Sequence, residues 1–194
     1  MFTGWRRWFP FVSEPISKVT PLDGIRHLSY SHFEGDECGA MNEFLAAAPL
    51  AVPFASQIGA LTSLHDYADR PPRGLADGDE FLIGRKTLQW IYTPHVPHGW
   101  DCGLLFDQTT RTLLCGDLFT QPGADTPPVT ETLEYYAHGT NTTAILGRLA
   151  GLEPATLACQ HGSAYRGDGG ALLRELSGIL AQEQPSAMTA SVRG

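Results

Sequence analysis

The sequence lacks the marks of several large classes of protein. Its 194 residues carry 21 acidic and 13 basic side chains, a net charge of −8, so the basic surface that nucleic-acid binding requires is not expected. The four cysteines form no CxxC pair, which argues against a zinc ribbon or a thioredoxin-type motif and indicates a reducing compartment. No apolar run approaches the roughly 20 residues of a membrane span. The N-terminal apolar run, broken by Pro10, is too short for a signal peptide. We therefore expect a cytoplasmic protein with neither a nucleic-acid nor a membrane partner.

Familiar catalytic motifs are also missing. The sequence contains no GxSxG nucleophile elbow and no GxxxxGK[ST] phosphate loop, and GDGG at 167–170 does not fit a GxGxxG dinucleotide fingerprint. The pair His32-x-Glu34 is shared with zinc deaminases, but the downstream PCxxC of those enzymes is absent. These classes are therefore disfavoured.

The length fits one domain, which we place at residues 1–184, followed by a flexible tail at 185–194. Apolar patterns predict strands at 25–31, 51–56, 80–84, 87–93, 103–107, 111–119 and 155–160. They predict helices at 39–48, 58–68, about 129–151 and 169–183, and a loop at 70–79. The short polar link at 108–110 indicates a hairpin. Alternating strands and helices with one hairpin predict an α/β (α+β) protein whose helices pack outside mixed sheets.

Four acidic or histidine-containing clusters follow strand-like runs, and loops at strand ends often carry active sites. They contain His32, Glu34, Asp36 and Glu37; His95, His98 and Asp101; Asp117; and His161. Each cluster taken alone has an ordinary explanation. Asp117 could be a turn residue, and His161 could cap a turn. His95 and His98 could be solvated loop histidines. Asp36 and Glu37 could cap the helix that follows. Four such clusters at successive strand ends favour a metal site over coincidence.

This ordered set resembles the metallo-β-lactamase superfamily, whose fold is an αββα sandwich. Hydrolytic members carry HxHxDH as the first motif. The corresponding residues here are His32, Glu34, Asp36 and Glu37, and this HxExD form resembles the diiron domain of flavodiiron proteins, which reduce oxygen or nitric oxide. His98, Asp117 and His161 match the later motifs. The resemblance covers about residues 20 to 183. It implies a metallo-β-lactamase-like sandwich that is N-terminally shortened, because only about thirty residues precede His32. It also implies that no flavin is encoded, since no flavodoxin domain follows.

The resemblance implies two metal ions with six ligands. His32, Glu34 and His98 would hold one ion, Asp36 and His161 the other, and Asp117 would bridge them. Glu37 stands where the family usually has histidine, so it is either a further ligand or a residue behind the ligands. His95 and Asp101 are candidates for orienting the ligands, with a solvated loop as the alternative.

Glu34 bears on the chemistry of this site. Together with Asp36 and Asp117 it contributes three negative charges, whereas an HxHxDH site of the same design contributes two. The additional carboxylate opposes acidification of a metal-bound water, which a hydrolase needs. It stabilises a trivalent ion, and oxygen ligands suit iron and manganese. The pattern therefore favours iron over zinc or manganese.

We expect a diiron oxidoreductase or sensor that binds or reduces oxygen or nitric oxide with electrons from a separate redox partner. The first alternative is a metal-dependent hydrolase of an ester, thioester or phosphoester with the same ligands. The second is a non-catalytic protein whose retained fold serves oligomerisation. A shortened first sheet would expose an edge, so a homo-oligomer is also expected.

Overall fold

The computed structural model describes residues 2–121 and 136–183. Its first sheet has three parallel strands in the order β1 (His27–Ser29), β2 (Val52–Ser56) and β3 (Arg73–Leu75). Parallel neighbours need crossover connections, and helices supply them. The β1–β2 crossover contains α2 (Gly35–Cys38) and α3 (Met41–Ala47). The β2–β3 crossover contains α4 (Gln57–Gly59), a π-helical turn (Ala60–Leu64) and α5 (His65–Tyr67). Helix α1 (Phe9–Ser17) precedes this sheet.

The second sheet has six strands in chain order. They are β4 (Glu80–Ile83), β5 (Lys86–Tyr92), β6 (Gly103–Asp107), β7 (Thr112–Gly116), β8 (Thr156–Cys159) and β9 (Tyr165–Arg166). All neighbours are antiparallel except β7 and β8, which are parallel. The chain between that pair contains α6 (Thr142–Gly151), and α7 (Gly169–Glu183) follows β9. The two parallel strands thus end at the same edge of the sheet.

The two sheets pack face to face and carry helices on their outer faces. Phe54 and Leu75 of the first sheet meet Leu88, Trp90 and Leu105 of the second in one buried cluster. A second cluster joins the first sheet to α3 and α1, and a third joins the second sheet to α6 and α7. The four layers are therefore αββα, which confirms the predicted fold class.

The predicted hairpin is present between β6 and β7, where Leu105 pairs with Leu114. Asp107 holds the turn because its carboxylate accepts hydrogen bonds from the backbone N–H of Thr109 at 2.9 Å and from the Thr110 hydroxyl at 2.7 Å. Lys86 adds an ion pair to the same carboxylate at 2.6 Å. This turn fixes the register of β7, the strand that leads to Asp117.

Several elements differ from the sequence prediction. The predicted loop at 70–79 contains β3, and neither α1 nor the two-residue β9 was predicted. Helix α6 begins at Thr142, so the described part of the predicted helix at 129–151 is shorter than expected. The rest of that helix, and the predicted tail at 185–194, lie outside the described residues. Within the two described ranges, no helix has the length and apolar character needed to cross a membrane.

Two glycine substitutions test the packing of the second sheet. A methyl group on Gly103 would lie 2.2 Å from Cζ2 of Trp90, so this indole, which is 1% exposed, would have to shift. Gly103→Ala should therefore destabilise the fold by about 2 kcal/mol or more. Gly147→Ala adds the same methyl group to the exposed face of α6, where it meets no atom within 4 Å. There the better helix propensity of alanine should stabilise the fold by about 1 kcal/mol. Chemical denaturation measures both, and equal shifts in the two variants would contradict the packing.

Candidate metal centre

Four side chains place ligand atoms around one point. The donor atoms of His32, Glu34, His98 and Asp117 all lie within 4.8 Å of one another. Oε1 of Glu34 is 3.5 Å from Nε2 of His32 and 3.6 Å from Nε2 of His98. Oδ2 of Asp117 is 3.7 Å and 3.6 Å from the same two nitrogens. Metal–nitrogen and metal–oxygen bonds are about 2 Å long, so four donor atoms this close together could surround one metal ion after small adjustments.

Asp117 also faces a second group of ligand atoms. Its other oxygen, Oδ1, is 3.4 Å from Nε2 of His161. That nitrogen is 2.9 Å from Oδ2 of Asp36. The two oxygens of one buried carboxylate therefore point to two adjacent clusters. This is the arrangement that a bridging ligand between two metal ions would need.

The topology explains why residues so distant in sequence meet here. His32 follows β1 after two residues, Asp117 directly follows β7, and His161 follows β8 after one residue. His98 lies in the loop from β5 to β6. Because β7 and β8 are parallel neighbours, Asp117 and His161 emerge at the same edge of the second sheet. The backbone N–H of Gln160 donates to the carbonyl of Gly116 at 2.9 Å, which keeps the two strand ends in register.

Hydrogen bonds and ring contacts hold the segment that carries His32 and Glu34. The side chain of the intervening Phe33 packs against Tyr67, with ring centroids 5.3 Å apart. The Phe33 N–H donates to Oδ2 of Asp101 at 3.1 Å, and Asp101 is 3% exposed. Glu34 occupies the N-cap position of α2 in an extended conformation, and its carboxylate points to the two histidines instead of capping the helix. Asp101 therefore positions the motif without entering the cluster.

Glu37 lies behind His32, on the side away from the cluster. Its carboxylate accepts hydrogen bonds from the backbone N–H and the hydroxyl of Ser31, both at 2.5 Å, and from the N–H of His32 at 3.2 Å. Oε1 is 3.4 Å from Nδ1 of His32, the ring nitrogen opposite the one that faces the cluster. The Ser31 hydroxyl lies 2.9 Å from the same nitrogen. The Ser31 hydroxyl and the Glu37 carboxylate together fix the orientation of the His32 ring, as groups behind metal-binding histidines commonly do.

Burial sets the charge state of these inner groups. It raises the pKa of Glu37 to about 8, although hydrogen bonds from Ser31 act in the opposite direction. Burial also lowers the pKa of His32, while the nearby Asp117 carboxylate partly offsets that effect. A neutral imidazole keeps the lone pair that binds a metal. Nε2 of His32 is buried and has no hydrogen-bond partner among residues 2–121 and 136–183. The donor set thus fits a cation at the point that this nitrogen faces.

The structure places the nine predicted residues in three groups. Six lie around the two clusters: His32, Glu34, Asp36, His98, Asp117 and His161. Glu37 and Asp101 hold the backbone or ring of the first motif. His95 is exposed in its loop, and its backbone N–H donates to the Gly99 carbonyl at 2.8 Å, so it does not join either cluster.

The sequence prediction did not identify three positions on which the site depends. Ser31 supplies two hydrogen bonds to Glu37. Gly99 and Gly116 both have positive φ, at 78° and 53°. A Cβ on Gly99 would lie 2.9 Å from Cβ of His32, and one on Gly116 would lie 2.4 Å from the Ser31 hydroxyl. The PHG and CGD patterns contained a signal for the two glycines, since glycine beside a ligand often marks close backbone approach.

Comparison with known proteins gives structural matches alone. No model of a protein family matches the sequence, and a search of the curated proteins finds no match. Among solved structures, the chain is similar to a flavoprotein from Thermotoga maritima, with a TM-score of 0.77 and 20% identity over 91% of this chain. It is similar to rubredoxin oxygen:oxidoreductase from Desulfovibrio gigas, with a TM-score of 0.77 and 22% identity over 95% of this chain. A third match is the chemotaxis sensor ODP from T. denticola, with a TM-score of 0.74 and 21% identity over 90% of this chain.

These matches establish the fold. The chain has the metallo-β-lactamase-like fold of the diiron domain found in flavodiiron proteins, as the sequence predicted. It spans about half the length of the Thermotoga and Desulfovibrio chains, 48% and 51%. It spans 79% of the ODP chain.

The position of Asp117 yields a prediction about metal content. Because its two oxygens face both clusters, Asp117→Asn should lower the amount of bound metal more than Asp101→Asn does. Asp101 contacts the Phe33 N–H, and the loss of such an outer contact typically costs about 10–100-fold in metal affinity. Both substitutions replace a buried aspartate with an asparagine of nearly the same volume. A difference in metal content between the two variants therefore does not come from packing. Metal analysis of the purified variants measures the result, and equal metal content in both would exclude a bridging role for Asp117.

Proposed function

We propose that the protein holds a dinuclear, iron-preferring centre that binds or reduces oxygen or nitric oxide with electrons from a separate redox partner. The observation that carries this proposal is the position of Asp117, whose two carboxylate oxygens face two groups of ligand atoms. The proposed ligands are those of the resemblance: His32, Glu34 and His98 for one ion, and Asp36 and His161 for the other, with Asp117 between them. A cytoplasmic location remains part of the proposal.

The charge of the ligand set favours iron. Glu34, Asp36 and Asp117 bring three carboxylates to a region where Asp117 is 1% exposed. Glu37 is buried too, but it faces Nδ1 of His32, and burial raises its pKa to about 8, so it is left out of this count. Three carboxylates stabilise a higher total metal charge than two do, and carboxylate oxygen suits iron and manganese. An iron pair held by these residues would supply one-electron redox chemistry.

The remaining residues control orientation and access. The Glu37 carboxylate holds His32 with Nε2 toward the centre, and Asp101 fixes the backbone between His32 and Glu34. His161 is the most accessible of the three histidines, with 39% of its side chain exposed, against 2% for His32 and 21% for His98. The Glu34 carboxylate of the first cluster is 47% exposed, so Glu34 and His161 together form the open side of the two clusters.

The structural matches support the same chemistry. The Desulfovibrio gigas protein is described as an oxygen:oxidoreductase, and the T. denticola protein as a chemotaxis sensor. The first description fits turnover with a redox partner, and the second fits oxygen binding without turnover. Both possibilities belong to the proposal, because each needs the same ligand set.

Glu34→His tests the charge argument. The substitution restores the HxHxD pattern and removes one negative charge from the centre. It should shift metal preference from iron toward zinc, raise the iron reduction potential and slow oxygen consumption by the reduced protein. Metal content after growth with both metals and oxygen consumption measure these effects. Glu43→Gln is the matched control, since it removes one negative charge from a residue that pairs with Arg6 and lies outside the ligand set.

The hydrolase alternative makes the opposite prediction. If the wild-type protein binds only zinc and hydrolyses esters, and Glu34→His abolishes that hydrolysis, Glu34 is a hydrolase ligand and the redox proposal is wrong. If hydrolysis is weak in the wild type and rises or stays constant in Glu34→His, the carboxylate opposes acidification of a bound water, as proposed.

We also expect a homo-oligomer. The parallel first sheet has three short strands, and exposed strand edges pair readily. Exposed apolar side chains such as Phe11, 75% exposed, and Leu61, 69% exposed, lie on the helices outside that sheet. Sedimentation at micromolar concentration should show a dimer or a larger assembly. A monomer under these conditions would contradict this expectation and leave the metal site proposal untouched.

A further inference from the structure

Two of the four cysteines lie on neighbouring strands, close to the candidate metal centre. Cys115 lies on β7 and Cys159 ends β8, the parallel pair of the second sheet. Both side chains pack into the cluster between this sheet and the outer helices. Both thiols are free, and the pairing of the two strands places them side by side on that face of the sheet. Adjacent strands lie about 4.8 Å apart, and disulfide-linked cysteines have Cα atoms about 4.4–6.8 Å apart.

Each cysteine of the pair lies two residues before a proposed metal ligand. Cys115 precedes Asp117 by two residues, and Cys159 precedes His161 by two residues. The register shifts between Leu114 and Gly116, so the ladder is irregular at Cys115 itself. A covalent link between the two sulfurs would therefore act on the strand ends that carry both ligands.

We propose that Cys115 and Cys159 are a redox modification site that forms a reversible intramolecular disulfide. The two residues differ in access. Cys115 is 0% exposed, whereas Cys159 is partly exposed. A small oxidant therefore reaches Cys159 first, and Cys115 is in position to resolve the product. The proposal is independent of which metal the centre holds.

The chemistry balances with hydrogen peroxide as the oxidant. The Cys159 sulfur attacks peroxide, an S–O bond forms, the O–O bond breaks, and water leaves with the proton of the thiol. The Cys115 sulfur then attacks the Cys159 sulfur, the S–S bond forms, the S–O bond breaks, and the Cys115 proton leaves with the hydroxide as a second water. The sum is two thiols and one peroxide giving one disulfide and two waters. A small dithiol reverses the reaction by exchange.

Mass spectrometry of the full-length protein tests the site. After treatment with a modest excess of hydrogen peroxide, the wild type should lose about 2 Da, and a peptide pair linked through Cys115 and Cys159 should appear. Reduction with dithiothreitol should restore the original mass. Cys159→Ser should abolish the link. Cys38→Ser and Cys102→Ser should retain it, because Cys38 packs outside the first sheet and the Cys102 thiol donates to the Val96 carbonyl.

Three outcomes would overturn the proposal: unmodified thiols, a link through Cys38 or Cys102, or direct oxidation of Cys159 to sulfinic acid. Peptide mapping of the oxidised wild type identifies the linked cysteines even if a variant fails to fold. Since the readout is a covalent bond, its failure is distinguishable from failure of the metal site proposal.

Metal retention tests the link to the strand ends. A disulfide would tie together the ends of β7 and β8, two residues before the proposed ligands Asp117 and His161. This constraint should weaken metal binding by about tenfold, the size of effect seen when groups behind the ligands are lost. Competition with a chelator compares oxidised and reduced wild type, with oxidised Cys159→Ser as the control. Equal retention in the oxidised and reduced wild type would show that the disulfide does not act on the ligands.

Discussion

The convergence of three carboxylates on a partly buried region is the constraint on which the rest of the site depends. Glu34, Asp36 and Asp117 come from two segments about eighty residues apart in the chain, and Asp117 is almost fully buried. Like charges brought together away from water repel one another strongly. Histidines alternate with these carboxylates around the two clusters, and Nε2 of His32 is aimed at the first one. Cations between the carboxylates would remove the repulsion, so the same charges that destabilise a metal-free site favour metal binding.

The fold brings these charges together by means of short strands and close backbone contacts. Parallel strands β7 and β8 end at one edge, which places Asp117 beside His161. The first sheet delivers His32 from the opposite side, so the site lies where the ends of both sheets meet. That approach is close enough to require glycine at positions 99 and 116. The site is therefore a product of the sandwich as a whole, and a local change at either glycine would alter it.

Much of this arrangement was predictable because ligands and strands leave separate signals in the sequence. The alternating apolar pattern located β4 to β8, and the four polar clusters located the six proposed ligands. Short elements are the ones that the sequence pattern does not predict. Strand β3 has only three residues in a stretch rich in proline and glycine, and its structure depends on pairing with β2. The role of Glu37 was also undetermined, because only the three-dimensional arrangement shows that its carboxylate meets the backbone of Ser31 and His32.

The orientation of Glu37 has a consequence for the second cluster. At the position where the resemblance leads one to expect a histidine ligand, this chain has a carboxylate that faces the far nitrogen of His32. Among residues 2–121 and 136–183, the second cluster has Asp36, His161 and one oxygen of Asp117, against four donors for the first. Iron in carboxylate sites commonly takes more ligands than three. Asp36, Asp117 and His161 would therefore hold a second ion with fewer protein ligands than the first, beside the exposed ring of His161.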